Sequence, residues 1–369
     1  MKVFVVFGTR PEAIKMCPLV LKLQENKNLE CVVCLTGQHK EMLKQVMDAF
    51  CVKEDYNLDI MKDRQTLTTI TTSILEKIEP VLKGEKPDIV LVHGDTTTSY
   101  AAALAAFYQQ IPVGHVEAGL RTGDIYSPFP EEMNRLLTDR ISSLYFAPTE
   151  LNKRNLLSEG INDNIYVTGN TVIDAFKYTV KSAYKFSDDL LNSINYDEKK
   201  CILLTAHRRE NLGKPLEHIC NAVKRVANEY KNVEFVYPVH LNPRVQETVY
   251  GILDGVNNIH LIKPLDVLDM HNLMAKCYMV MTDSGGIQEE APHFGKPVLV
   301  LRTETERPEA VEAGTVKVVG VNEDDIYKAA ASLIQNSDEY NKMAHATNPY
   351  GDGLASERII KAILEYNKC

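Results

Sequence analysis

Lys2-Val3-Phe4-Val5-Val6-Phe7-Gly8-Thr9-Arg10-Pro11-Glu12 opens the chain with a β-branched and aromatic run, then a glycine, then a proline where a first helical turn accepts one. Residues 3–7 read as a first buried strand, and Ile14, Cys17 and Leu21 fall on one face of the helix that follows. The same strand-then-helix unit recurs along the chain. Residues 31–35, 89–92, 113–116, 145–147 and 165–167 read as strands of a first series, and 201–205, 233–237, 259–262, 278–281 and 297–301 as strands of a second. Leu216, Ile219, Val223 and Val226 make a helical stripe in that second half. Such βα repetition gives parallel sheets covered on both faces. The expected fold class is therefore α/β, two Rossmann-like doubly wound domains facing a cleft, the first over 1–168 and the second over 169–354. The stretch 170–200 reads as helical and charged, and 356–366 as a final helix.

A chain of 369 residues exceeds what one core usually organises, in keeping with two domains. Apolar residues make up 44% and charged ones 25%, the balance of a soluble globular protein, and no apolar run is long enough for a membrane span. The first apolar stretch meets Gly8 too soon for a signal peptide, so a cytoplasmic protein is expected, with no membrane partner. Its eight cysteines are then reduced thiols, and Cys31 and Cys34, the one close pair, are core residues of a strand. A net charge of −9 without a basic tract speaks against nucleic acid as a partner. An anionic ligand would need locally placed arginines and helix ends.

Doubly wound sheets bind ligands beyond the carboxyl ends of their strands. Thr282-Asp283-Ser284-Gly285-Gly286-Ile287-Gln288-Glu289-Glu290 follows a strand directly. Its two glycines let backbone amides at a helix N-terminus approach a phosphate, Ser284 adds a hydroxyl donor, and Glu290 suits a ribose diol. A capping serine in an ordinary turn is the plainer alternative. Gly8-Thr9-Arg10-Pro11-Glu12 is the matching loop of the first half, and it lacks both the G-x-G-x-x-G spacing and the Walker lysine, which counts against nicotinamide and ATP chemistry. Arg10 at a helix start, with Lys15 one turn on, either neutralises a diphosphate or is an exposed arginine beside a turn.

His93-Gly94-Asp95-Thr96, His115-Val116-Glu117 and Pro130-Glu131-Glu132 bring acidic residues to successive strand ends. One such residue is a helix cap; three point to a site. Thr205-Ala206-His207-Arg208 adds a histidine after the first strand of the second half. A histidine among carboxylates is general acid–base equipment. Neither the H-E-x-x-H spacing of zinc sites nor G-x-S-x-G occurs, so no metal and no cofactor are expected.

Together with Gly114-His115-Val116-Glu117-Ala118-Gly119-Leu120-Arg121 and Thr205-Ala206-His207-Arg208-Arg209-Glu210, these motifs resemble the non-hydrolysing bacterial UDP-N-acetylglucosamine 2-epimerases, from Lys2 to Asn348-Pro349-Tyr350-Gly351-Asp352-Gly353. The resemblance implies a glycosyltransferase-B-type fold in which residues 355–369 return to the first domain, and a homodimer. It implies reversible conversion of UDP-N-acetylglucosamine to UDP-N-acetylmannosamine, through elimination of UDP to a 2-acetamidoglucal and re-addition, with no redox cofactor. Asp95, Glu117, Glu131 and His207 carry the acid–base work in this reading. For the UDP it points to Arg10, Lys15, His271, Ser284, Gly285, Gly286, Glu290 and Arg307, with Lys263-Pro264-Leu265 near the uracil.

Some bacterial relatives bind a second UDP-N-acetylglucosamine as an activator, through positions that match Gln38, Arg64, Glu131, Arg208 and His240. Gln38, His39 and Glu41 form a polar cluster at a helix start. Glu41 stands where some activator-regulated relatives carry glutamine, and Arg302-Thr303-Glu304-Thr305 and Ser99 also depart from the family pattern, away from the acid–base set. Three other readings use the same site: a hydrolysing epimerase, a retaining UDP-sugar glycosyltransferase, which leaves the three carboxylates unexplained, and a nucleotide-sugar sensor.

Overall fold

The structure, a computed structural model, describes residues 1–37, 40–62 and 65–366, and the side chains of 40–42 also fall outside the description. Gln38, His39 and Arg64, expected at an activator site, lie outside the described residues, as does the side chain of Glu41.

The first half runs β1 (Lys2–Phe7), α1 (Arg10–Glu25), β2 (Glu30–Leu35), α2 (Lys40–Phe50), β3 (Tyr56–Asn57), α3 (Leu67–Glu85), β4 (Ile89–His93) and α4 (Thr97–Tyr108). It continues with β5 (Val113–Val116), α5 (Glu131–Ile141), β6 (Leu144–Ala147), α6 (Glu150–Ser158), β7 (Ile165–Val167) and α7 (Thr171–Thr179). Among the described residues its strands form one parallel sheet, in the order β3-β2-β1-β4-β5-β6-β7. Ile70, Ile74, Ile78 and Leu82 recur at every fourth position of α3 and are buried against Phe4 and Val6 of β1 and Val90 and Val92 of β4. Each such side chain stabilises the fold by about 1.5–3 kcal/mol when fully buried. Helix α4 is apolar all round, and its small residues Ala101, Ala102, Ala105 and Ala106 let it lie against both α3 and α5.

The second half runs α8 (Asp189–Ser193), β8 (Lys200–Thr205), α9 (Lys214–Glu229), β9 (Val233–Pro238), α10 (Pro243–Leu253), β10 (Ile259–Ile262) and α11 (Val267–Lys276). Then come β11 (Met279–Thr282), α12 (Gly285–Glu290), β12 (Val298–Val300), α13 (Pro308–Glu312), β13 (Val316–Val318), α14 (Glu323–Gln335) and α15 (Ser337–Ala344), and the chain ends on α16 (Ala355–Tyr366). The second sheet is parallel throughout, in the order β10-β9-β8-β11-β12-β13. Leu216, Ile219, Val223 and Val226 of α9 are buried beneath it with Phe235, Met281 and Leu299. Both sheets start near the middle, wind one way for three strands and then wind the other, which makes each a Rossmann-like α/β domain.

The division between the two compact units falls after Tyr178, and the chain returns to the first unit at Tyr350. Helix α7 thus belongs almost wholly to the first domain, whereas sequence placed the boundary at 168. Helix α16 packs on α1, and Asp174 of α7 accepts the first amides of that terminal segment, from Ala355 at 3.1 Å and Ser356 at 2.8 Å. The stretch 170–200 is not continuously helical. Between α7 and α8 it is fixed instead by side chains, with Tyr184 Oη and the hydroxyl of Ser187 donating to the buried carboxylate of Asp269. Strands β3 and β13 escape a sequence reading because Tyr56-Asn57 and Val316-Lys317-Val318 are too short to show a period and, unlike the Ile165-Tyr166-Val167 of β7, are broken by a polar residue. Cys31 and Cys34 lie in β2 as free thiols, each pushed up to about 12 by burial. Among the described residues no helix is long and apolar enough to cross a membrane.

Candidate active site

In the first domain the loops after β1, β4 and β5 are braced by buried side chains. Thr9 caps α1, and Glu12 returns the bond in a capping box: its Oε2 accepts the amides of Gly8 at 3.0 Å and Thr9 at 2.7 Å. The other oxygen of Glu12 reaches the next loop, accepting from Thr96 Oγ1 at 2.7 Å and Ser99 Oγ at 3.1 Å. Thr96 is itself the cap of α4. Gly8 admits no side chain, because a Cβ there would collide with the hydroxyls of Thr36 and Thr98. Arg10 and Lys15 therefore stand at fixed positions on the first turns of α1.

Glu117 follows β5 with φ of 68°, a left-handed backbone that a side chain adopts only under external constraint. Its Oε2 pairs with Lys15 Nζ and accepts from Asn170 Nδ2 at 2.8 Å, and His93 Nε2 stands 3.5 Å away. Burial alone would raise this carboxyl, but Lys15 and His93 outweigh it and hold Glu117 well below the usual carboxylate range. Glu117 is thus an anion held beside the Lys15 ammonium. Asp95 follows β4; its carboxylate takes a bond from Arg135 Nη2 at 2.7 Å and its carbonyl one from Asn134 Nδ2 at 2.9 Å. Glu131, half-buried, is the first residue of α5, one turn before Arg135 on the same helix face. The next residue, Glu132, is buried and accepts the amides of Thr122 and Gly123, each at 3.1 Å, which ties down the loop ahead of the helix.

In the second domain the carboxylate of Asp283, after β11, accepts the amides of His207 and Arg208, both at 2.8 Å, and Asn211 Nδ2 at 3.0 Å. All three bonds use Oδ2. The loop after β8 is thereby fastened to the loop after β11, its neighbour in the sheet. Ser284 is the N-cap of α12 by backbone geometry, and its side chain makes no capping bond. Two guanidinium groups flank this helix end. A Cβ built on Gly285 would lie 3.8 Å from Arg208 Nη2 and 3.9 Å from Arg307 Nη2. Arg307 is buried and held by Glu289, so its charge is aimed by an ion pair. Glu290 closes α12 with His271 Nε2 3.9 Å from its carboxylate, and His271 Nδ1 meets Thr179 Oγ1 at 2.8 Å. Two cations, bare amides and a carboxylate one helix turn on suit a diphosphate joined to a diol.

The family model for UDP-N-acetylglucosamine 2-epimerase matches residues 21–364. The chain belongs to the UDP-N-acetylglucosamine 2-epimerase family. A UDP-N-acetylglucosamine 2-epimerase of Bacillus subtilis is 56% identical over 365 residues, covering 99% of this chain and 95% of the relative. The Escherichia coli epimerase is 53% identical over 370 residues, 98% of each chain. Among solved structures, the Neisseria meningitidis epimerase bound to UDP-GlcNAc superposes with a TM-score of 0.91 at 52% identity, covering 99% of this chain and 100% of that one. As a member of this epimerase family the chain is an enzyme of the isomerase class.

Within this epimerase, Asp95, Glu117 and Glu131 share the first domain with Arg10 and Lys15, at the ends of β4 and β5 and the start of α5. His207 lies in the second domain, exposed and stacked on His240 with ring centroids 4.9 Å apart. Burial, and then the His207 ring beside it, push the pKa of His240 down. Arg208, read from sequence as an activator residue, is brought to Gly285. Lys263, Pro264 and Leu265 follow the edge strand β10, three strand spacings from β11, or about 14 Å. Sequence reasoning gave no role to Asn170, nor to His93 and Asp283 although both lie inside quoted motifs. Each is an ordinary polar residue at or just after a strand end, and only its tertiary partner marks it.

Proposed function

We propose that the chain interconverts UDP-N-acetylglucosamine and UDP-N-acetylmannosamine reversibly and without hydrolysis, by elimination of UDP to a 2-acetamidoglucal and re-addition, with the hydrogen at carbon 2 replaced on the opposite face. Loss of UDP builds positive charge on the sugar and negative charge on the diphosphate. Ser284, Gly285, Gly286, Arg208 and Arg307 meet the second, with Arg10 and Lys15 as further cations, while Glu290 and His271 hold the ribose and the Lys263–Leu265 turn lies by the uracil. The carboxylates answer the first. Glu117, kept ionised by Lys15, stabilises cationic character at the anomeric carbon, and Asp95, Glu131 and His207 remove the proton from one face of carbon 2 and deliver one to the other. The observation that carries this reading is the carboxylate group at the ends of β4 and β5 in a chain that also holds a two-arginine helix end. Sugar transfer to an acceptor needs only the latter.

The reading extends to a second UDP-N-acetylglucosamine as activator, supported by the stacked His207 and His240 beside Arg208, since a ligand on His240 also touches the proposed proton carrier. A homodimer rests on the family resemblance, and a cytoplasmic setting on the early end of the first apolar stretch at Gly8. The reaction is tested by incubating the protein with UDP-N-acetylglucosamine in deuterium oxide. Deuterium at carbon 2 of both epimers, with no free N-acetylmannosamine, is the expected result. Unlabelled sugar at high enzyme concentration would sink the proposal, and free N-acetylmannosamine would turn it to the hydrolysing reaction.

A further inference from the structure

His115 does not enter the chemistry above, yet it is the most completely enclosed histidine near it. It lies on β5 with no exposure, Nδ1 2.6 Å from Asp139 Oδ1 and Nε2 2.7 Å from the carbonyl oxygen of Gly94. A carbonyl oxygen only accepts, so Nε2 must carry a hydrogen. Asp139 is fully buried on α5, and its other oxygen accepts from Arg121 Nη2 at 2.7 Å and the amide of Gly119 at 3.3 Å. A carboxyl already bonded to a guanidinium is a poor place for the shared proton, which leaves it on Nδ1. Two further charged groups border this cluster: Glu159 just past α6, paired with Arg121 at 2.6 Å, and Arg140 of α5, which donates to the Glu159 carbonyl at 3.4 Å; Tyr145 is the cross-strand neighbour on β6 with its hydroxyl turned to the carbonyl of Ser142.

We infer that His115 is a buried imidazolium and a positioning residue: paired with Asp139, it grips the Gly94 carbonyl and so fixes the turn that presents Asp95. Gly94 has φ of 63°, and its amide is already bound to Val116 O at 2.9 Å, so the His115 bond completes the clamp on that peptide. Beyond it, Asp95 is held at its own carbonyl by Asn134 and at its carboxylate by Arg135. The positioning role rests on the epimerase reading; the protonation state does not.

The test uses the full chain labelled with nitrogen-15 histidine. Long-range proton–nitrogen spectra at pH 7.5 should show one ring with both nitrogens protonated, and that signal should vanish in His115→Gln. A neutral ring assigned to His115 overturns the inference even if the protein is a competent epimerase. In His115→Gln, turnover should fall about 100-fold, the loss expected when a reacting group shifts by roughly 1 Å, while UDP affinity stays within about twofold. The midpoint of the acid limb of kcat/KM should also move, because Asp95 is released from its setting. Asp139→Asn should produce the same shift, and the double variant no more than either alone; if His115→Gln does not fold, Asp139→Asn carries this arm. Unchanged turnover and an unmoved pH profile in a folded variant overturn the positioning role. A wild-type protein that exchanges no hydrogen at carbon 2 overturns the proposed reaction and leaves the protonation result standing.

Discussion

Two domains of one topology brace their strand ends in opposite directions. In the first, the carboxylate belongs to the loop after the first strand: Glu12 reaches from β1 to Thr96 and Ser99 after β4. In the second it belongs to the neighbour: Asp283 reaches back from β11 to His207 and Arg208 after β8. The pairs of strands are equivalent, since β1 lies beside β4 as β8 lies beside β11. The groups presented at the strand ends differ too: Asp95, Glu117 and Glu131 with Arg10 and Lys15 in the first domain, and the start of α12 with Arg208 and Arg307 in the second. The lesson is that the shared fold supplies only a braced rim, and the side chains carried on that rim set its chemistry.

If the division of labour is real, variants in the two domains should separate sharply. Glu117→Gln should reduce turnover about 100- to 10,000-fold, the range for a lost acid–base or charge-stabilising group, while UDP binding by calorimetry changes by no more than about threefold. A matching loss of UDP affinity would break the comparison. Arg208→Ala should do the reverse, weakening UDP by about 1.5–3 kcal/mol, the cost of a hydrogen bond to a charged group, with turnover at saturating substrate changed far less.

The braces themselves offer a finer test. Glu12 uses both oxygens as acceptors, so Glu12→Gln sets an amide donor against other donors and should lower denaturant stability by about 1–3 kcal/mol. Asp283 uses only Oδ2, and Asp283→Asn can keep all three bonds with its amide oxygen; its cost should be below about 1 kcal/mol. Equal losses would show that the two braces are not the opposites their geometry implies. The smallest effect belongs to an exposed pair. Asp352, held to about 2 by Arg358, has a folded pKa below its unfolded one, so its contribution is present above pH 4 and fades as the pH falls toward 2. With both partners about half exposed, Asp352→Asn should alter the melting profile in that window by only a few tenths of a kcal/mol.

Much of this was legible in the chain, for specific reasons. Strands β5, β7 and β10 are short runs dominated by β-branched and aromatic residues, and their bounds were found to the residue. The loops after them were legible as loci because ligand groups in this topology follow strands. Partnership was not legible. Lys15 and Glu117 are 102 residues apart, and Asn170 and Glu117 are 53 apart, so no spacing rule joins them. The same applies to Arg208, whose place at Gly285 follows from β8 lying beside β11 and is invisible until the strand order is known.

The return of the chain to the first domain at Tyr350 has a temporal meaning during synthesis. Every strand of the second sheet lies between Lys200 and Val318, so the domain that starts later has all its parts first. The earlier one waits, with the face of α1 uncovered and Asp174 without the amides of Ala355 and Ser356, until residues 350–366 emerge. At roughly 5–20 residues per second, the second domain has seconds in which to settle before the first is sealed. A nascent chain stalled before Tyr350 should therefore resist protease across 200–340 while its amino-terminal half is still being cut.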